Sequence, residues 1–536
     1  MKCLVAVSLL VTFSCLLPQH KADPIPKPGP ESDCDRWVDV AIVGAGAAGT
    51  YSAYKLRNAN LSIELLELSN RVGGRMYTIE MPDSPDVKIE LGTMKFAKDE
   101  HSRVESLAAE LKLTPEDFLE GRPEQKKYYL RGQLLTAAEI QSGDVPFRLS
   151  QKEKQNQGRL AEYYLQELTG FTGSSLSYEQ ALKLTVQGRP LHNLRLEEAL
   201  DMVATEEGKE LVRALGEFDG PWAEEATATA FFRIVMGDDT RAKDRTLAEG
   251  MNKLPERLAQ AFVEASKRHQ VTFNRKLDKT EKLDREDGYK LSLIKTITKE
   301  GRTTETEQDE NVCAKKVVLA IPQRALLDID CEELKTGKVK DALEAVIPVK
   351  SSKVFMSFRE SIENSSSGDE ESKTHAFKSD TPISQMLKWK VSQASKQHIL
   401  LASYADMHKA AFLEALNDEG SLYPGSNPGQ YEASNSLVQE VINHLSEAKG
   451  VRKSEFPKPI KVVTQFWSKY PNSGFSTILK AGYNPEDVRQ TIQQPILGEE
   501  MYIVGSDHAS FQSETWSLES ALASVDEVYD KYRIDA

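Results

Sequence analysis

Gly44, Gly46 and Gly49, with Glu67 placed 23 residues after Gly44, are the residues whose types and spacing could do chemistry. Together they could hold an adenine dinucleotide. A glycine at the first position allows a tight turn. The second lets the backbone approach a pyrophosphate, and the third lets helix and strand pack closely. The helix that follows offers free N–H groups and a positive dipole end to phosphate at its N-terminus. Glu67 falls where a carboxylate accepts hydrogen bonds from ribose hydroxyls. Leu68, Gly74 and Arg75 follow in Glu67-Leu-Ser-Asn-Arg-Val-Gly-Gly-Arg75, where paired glycines expose N–H groups and Arg75 offers a fork of donors to a diphosphate. Glu90-Leu-Gly-Thr-Met-Lys-Phe96 reads as a strand running into a turn, with a small residue, Gly92, where backbone could approach a flat ring.

The elements that must position these residues are legible around them. Residues 38–43 are a short apolar, β-branched run, the signature of a buried parallel strand, and 50–58 read as a helix. Residues 61–66 form a second apolar run. From 101 to 250 the chain reads mostly helical, with apolar residues three and four apart over 103–113, 152–168, 196–215 and 223–235. Gly250-Met-Asn-Lys-Leu-Pro255 opens another helix. Strands return at 271–273, 289–295 and 311–320. A polar, acidic stretch at 361–381 reads as a mobile loop. Strand-like runs at 398–404 and 461–466 enclose a helical stretch, and a strand at 500–507 ends on Gly505-Ser-Asp507 before a final helix. The expected fold is α/β. A discontinuous Rossmann-type dinucleotide domain comprises 37–98, 245–330 and 495–536. An α+β substrate domain comprises 99–244 and 331–494, its helical part spanning about 101–244.

Composition narrows the classes. The chain has 536 residues, 40% hydrophobic and 28% charged, ordinary values for a globular protein. A formal net charge of −14, with no basic stripe, argues against nucleic acid as a partner. Residues 1–22 read as a secretory signal peptide and 23–36 as a Pro-rich linker; no later run is long enough to span a bilayer. The remaining cysteines are Cys34, Cys313 and Cys331, so one disulfide and one odd thiol are expected, with the pairing open. Asn60 and Asn364 head glycosylation sequons. The histidines show no metal-ligand spacing, and there is neither a Walker A loop nor a Gly-x-Ser-x-Gly elbow. A nicotinamide dehydrogenase would use Gly44–Glu67 but leaves residues 71–75 and 505–507 without a role. A tightly held flavin uses all three.

Residues 43–49, Glu67 with 71–75, 90–94 and 250–255 together resemble the flavin amine oxidases, and within them the secreted L-amino-acid oxidases of the gastropod antibacterial type. The resemblance implies non-covalent FAD and oxidative deamination. Hydride passes from the substrate α-carbon to the flavin, the imino acid hydrolyses to an oxo acid and ammonia, and O₂ is reduced to hydrogen peroxide. By position it implies dinucleotide contacts at Ala47, Ala48, Glu67 and Arg75, and a flavin-facing turn at Gly92, Thr93, Met94 and Lys95. It further implies backbone contacts to adenine at Leu277 and a ribityl-binding acid at Asp507. Lys353 matches a lysine that holds a water at flavin N5 and is the expected catalytic residue. Trp389, Trp467 and Trp516 are expected to wall the substrate slot.

Two departures stand out. Lys95 occupies the place where L-amino-acid oxidases carry an arginine that clamps the substrate carboxylate; it supplies a point charge rather than a fork. The family's Gly-Trp-x-Glu-Gly-Ala becomes Thr515-Trp-Ser-Leu-Glu-Ser-Ala521, without either glycine. The expected partners are O₂ and a small-molecule substrate, an amino acid or amine, with lysine or arginine suggested by the gastropod resemblance. A polyamine or monoamine oxidase is the alternative enzyme, and a secreted defence or storage glycoprotein without turnover is the alternative of another class.

Overall fold

The computed structural model describes residues 34–118, 126–142, 144–216, 218–236, 244–283, 287–299, 302–362, 376–417, 433–509 and 517–534. The expected signal peptide, the sequon at Asn364 and Trp516 lie outside them.

Strand β1 (Arg36–Val43) leads into helix α1 (Ala47–Leu56) and strand β2 (Ile63–Leu66). β1 lies between β2 and the strand Arg302–Leu319, parallel to both, with Val40 opposite Ile63 and Lys316. His269–Thr272 extends the parallel sheet beyond β2, and Met501–Ile503 pairs in parallel with Arg302–Leu319. The strands Arg275–Lys282 and Tyr289–Lys299 add an antiparallel edge. β1 is apolar throughout because both of its faces are covered. Val40 and Ile42 pack toward α1 and the helices Lys253–Ala265 and Ser517–Tyr532. Ala41 and Val43 point the other way, into a cluster holding Leu326, Leu343 and Val488. Cys34 and Cys313 form the disulfide, tying the start of β1 to its neighbour, while Cys331 is buried and free.

A second sheet runs in the order Lys461–Phe466, Ser351–Phe358, His398–Asp406, Gln385–Val391, Ala376–Ser379, Lys126–Leu130 and Gln133–Thr136. All eight residues of Ser351–Phe358 are buried. Alternation divides its two faces. Val354, Met356 and Phe358 pack on the helix Asn435–Lys449, whereas Phe355 packs against Val87, Ile89, Leu91 and Met94. Lys353 shares the parity of Phe355 and so points at the segment that carries Gly92.

Three local expectations are corrected. The helical run 196–215 is two helices, Leu196–Leu200 and Glu206–Leu215, because the Thr205 hydroxyl accepts the Gly208 N–H at 3.0 Å and starts a new helix. The run 152–168 is broken into Gln151–Gln155, a 3₁₀ turn at Gln157–Arg159 and Leu160–Thr169, with Gly158 at the break. The expected loop at 361–381 contains the strand Ala376–Ser379, which pairs in parallel with Lys126–Leu130. Its short polar sequence hid it. No helix among the described residues is long and apolar enough to cross a membrane.

Candidate active site

The glycine turn performs three separate tasks. Gly44 has φ +98°, and a Cβ there would lie 2.5 Å from the Ala320 carbonyl oxygen. A Cβ on Gly49 would lie 1.7 Å from the Gly44 carbonyl oxygen, so this glycine lets α1 lie against the turn. Gly46 differs: its φ of −74° suits any residue, and a Cβ would meet no protein atom within 4 Å. Packing alone therefore requires Gly44 and Gly49 but not Gly46. The approach of a pyrophosphate does require Gly46, and the turn fits an adenine dinucleotide.

Beside this turn, Gly73 donates its N–H to the Ala45 carbonyl at 2.8 Å, and Gly74 brings its Cα side against Gly46. The Glu67 carboxylate accepts the Ala45 N–H at 2.8 Å and the Ser69 N–H and hydroxyl at 2.9 and 2.7 Å. It thus anchors the glycine turn, and the remaining lone pairs of its oxygens can still accept ribose hydroxyls. Leu68 offers its carbonyl to Thr296 Oγ1 at 2.6 Å. Leu277 is buried in the cluster that includes Val43 and Leu66, opposite Leu293 and next to a bulge.

Arg75 extends the site away from the turn. Its guanidinium donates to Asp507 Oδ1 at 2.7 Å, Ser506 Oγ at 3.0 Å and the Phe475 carbonyl at 3.0 Å. Burial alone would raise the Asp507 carboxyl. The Arg75 charge and the Gln323 N–H, at 2.9 Å from Oδ2, override it and hold the group below its ordinary value. Gly505 has φ +138° and donates its N–H to Ser524. Residues read at two distant places in the sequence, 75 and 505–507, are therefore one ion-paired unit.

Arg75 also explains Gly92. A Cβ on Gly92 would lie 1.9 Å from the Arg75 carbonyl oxygen, and Thr93 donates its N–H to that same oxygen at 3.1 Å. The approach that demands glycine here is that of the Arg75 backbone. Three consecutive carbonyls of this segment are held from the second sheet. Lys353 Nζ donates to Glu90 O at 3.0 Å and Gly92 O at 2.5 Å, and Trp467 Nε1 donates to Leu91 O at 2.8 Å. Lys353 is 1% exposed, with Nζ 4.8 Å from the ring centre of Tyr404. Burial pulls its ammonium well below the ordinary lysine value, and Lys95 adds to this while Glu90 opposes it. The Glu90 carboxyl is raised by burial despite accepting Thr78 Oγ1 at 2.7 Å and the Met251 N–H at 2.9 Å. The motifs 90–96 and 250–255 thus meet.

Lys95 is also buried and donates to Asp244 Oδ2 at 2.7 Å, with Nζ 5.7 Å from the Phe118 ring. Met94 lies in the apolar cluster beneath it. Trp389 stacks edge-on with Phe355 and Phe118 and donates to the Lys88 carbonyl at 2.7 Å, while Trp467 lies 5.9 Å from Phe475. One contiguous chain of contacts thus joins the glycine turn, residues 73–75, Asp507, Gly92, Lys353 and Trp467. Sequence reading missed Glu90 as a titrating group, although it stood inside a quoted motif. It also missed Asp244, Tyr404 and Phe475, which carry no local signal. Among the described residues no His/Cys/Asp/Glu group could hold a metal ion.

The sequence profile described as flavin containing amine oxidoreductase matches residues 47–515. The chain is 42% identical to achacin of Lissachatina fulica over 94% of both chains, and 40% identical to aplysianin-A of Aplysia kurodai over 94% of this chain and 91% of that one. Its fold is similar to that of an A394C putrescine oxidase, with a TM-score of 0.66 at 17% identity over 93% of this chain and 99% of that one. The resemblance first carried by a few short motifs thus extends over the chain. The protein belongs to the flavin-containing amine oxidoreductase family, and its cofactor is FAD.

Proposed function

We propose that the protein is a secreted L-amino-acid oxidase that turns basic amino acids over best, forming an oxo acid, ammonia and hydrogen peroxide, and that the peroxide serves antibacterial defence. The observation that carries this reading is full-length similarity to achacin and aplysianin-A, joined to the gastropod oxidase resemblance of residues 43–95. Bound FAD supplies the two-electron oxidation of the substrate C–N bond and passes the electrons to O₂.

The chain's own residues bind, orient and move protons. Gly44, Gly46, Ala47, Ala48, Gly49, Glu67, Leu68, Gly74 and Arg75 hold the dinucleotide end, with Leu277 at the adenine. Gly505, Asp507 and residues 92–95 hold the flavin end. Lys353 carries out proton handling: as a neutral amine it keeps both N–H bonds to Glu90 O and Gly92 O and leaves its lone pair to accept from water. Trp467 and Trp389 border the substrate, with Trp516 added from the segment outside the described residues, and Lys95 meets the substrate carboxylate. The three-segment division of the flavin domain and the two-segment substrate domain is part of the same proposal.

One observation favours a second reading. Lys95 already faces Asp244 at 2.7 Å, so its charge is partly neutralised, and an amine without a carboxylate would need no clamp. Peroxide release on the twenty L-amino acids, with spermine and a monoamine alongside, decides the matter. Turnover of lysine and arginine above the amines is expected. Turnover of amines alone would overturn the reading, and a yellow protein turning over nothing would favour the glycoprotein without activity.

A further inference from the structure

Outside the contacts described so far, one buried acidic group ties the helical insertion to the sheet that carries Lys353. Asp406 ends the strand His398–Asp406 and is 1% exposed. Its two carboxylate oxygens accept the Asp219 N–H at 2.8 Å and the Gly220 N–H at 2.9 Å. Gly220 sits close beneath: a Cβ there would lie 3.0 Å from Val349 Cγ2 and 3.5 Å from Asp406 Oδ2. The Asp219 side chain is held in turn by Arg213 Nε at 2.7 Å and Lys409 Nζ at 3.4 Å. Taking the Asp406 carboxyl out of water is costly, and the two backbone N–H bonds are what it gains in return, so they hold the 218–220 backbone against the strand. What it fixes is the neighbouring residue. The Phe218 ring lies 5.2 Å from Tyr404, edge-on at 74°, and Tyr404 in turn pairs with Lys353 across the strands, its ring 4.8 Å from Nζ.

We propose that Asp406 is a positioning residue: by latching the 218–220 backbone onto the strand beside Lys353, it sets Phe218 as a wall that limits which substrate side chains reach the reacting end. This rests on the reading that Lys353 marks that end. Asp406 itself touches no substrate. Phe218 supplies an apolar face next to Tyr404, so truncation enlarges the slot, and loss of the latch lets the same face drift.

The test uses the full-length, FAD-loaded enzyme and steady-state peroxide release. Phe218→Ala and Asp406→Ala should each raise KM for the best L-amino acid about tenfold and change kcat less than about threefold. The double variant should be no worse than the weaker-binding single, because both act through one ring. Phe218→Leu should recover most of the loss. Asp406→Asn, which keeps one acceptor oxygen, should fall between wild type and Asp406→Ala and covers the case in which the alanine variant does not fold. A lowered melting temperature with KM unchanged in Phe218→Ala and Asp406→Asn overturns the latch. Lys353→Met separates the two claims. If it leaves flavin reduction unchanged, the placement of the reacting end fails and the latch with it. If it slows reduction while KM stays unchanged in the latch variants, the latch alone fails.

Discussion

Replacing Gly46 by alanine isolates cofactor binding from folding. The residue caps α1 with φ −74° and ψ −168°, an extended conformation open to alanine, and its Cβ would meet no protein atom within 4 Å. The cost to the apoprotein is then that of alanine for glycine at a helix N-cap, under about 1 kcal/mol. For a chain of this size that is a melting shift of no more than about 2 °C. In the proposed placement of FAD, the added methyl takes the space of the diphosphate. Loss of one or two N–H bonds to a charged phosphate costs about 1.5–3 kcal/mol, a roughly ten- to hundredfold weaker FAD. Gly49→Ala is the contrasting perturbation: with the Gly44 carbonyl oxygen at 1.7 Å, the variant should lose stability whether or not FAD is present. Flavin fluorescence during titration of apoprotein reads affinity, and thermal melts of the same samples read folding. Unchanged FAD affinity in Gly46→Ala would refute the reasoning, as would an apoprotein melting shift equal to that of Gly49→Ala.

Lys353→Met preserves length and apolar fill but removes the amine proposed to handle the proton. Anaerobic flavin reduction or its reoxidation should slow more than tenfold while FAD stays bound, and the pH profile of the rate should change, since burial holds this lysine well below the ordinary lysine range and couples it to Glu90. If Lys95 meets the substrate carboxylate, Lys95→Gln should raise KM for L-lysine about tenfold and leave cadaverine, the diamine lacking only that carboxylate, unaffected. Equal effects on both would remove Lys95 from that role. Burial, with the Asp219 charge, raises Asp406 to about 7, so the folded protein keeps a proton that the unfolded chain releases near pH 4. Stability should therefore fall as pH rises from about 4 to 7, by up to about 1.4 kcal/mol per pH unit from this group. Denaturant melts of Asp406→Asn at pH 5 and 7 should show a correspondingly shallower slope.

The sequence by itself determined what is local. Residues 38–67 announce strand, glycine turn, helix, strand and acid because each step needs a residue type within a few positions of the last: β-branched apolar side chains, glycines, then a carboxylate. The same holds for the 71–75 and 90–96 motifs. The tertiary structure alone decided why several of these residues are there. Gly92 reads as a place for a ring to approach, but the nearest constraint on it is the Arg75 carbonyl, brought back by the chain reversal between 75 and 92. Arg75 and Asp507 are 432 positions apart, and only the parallel addition of Met501–Ile503 beside Arg302–Leu319 makes them an ion pair. Cys34 finds Cys313 rather than Cys331 because β1 and Arg302–Leu319 run side by side. Lys353 looks in sequence like any strand lysine. Its complete burial, its two carbonyl acceptors and its depressed basicity come from a second sheet closing over the turn at residues 90–92, and long-range packing of that kind leaves no periodicity behind.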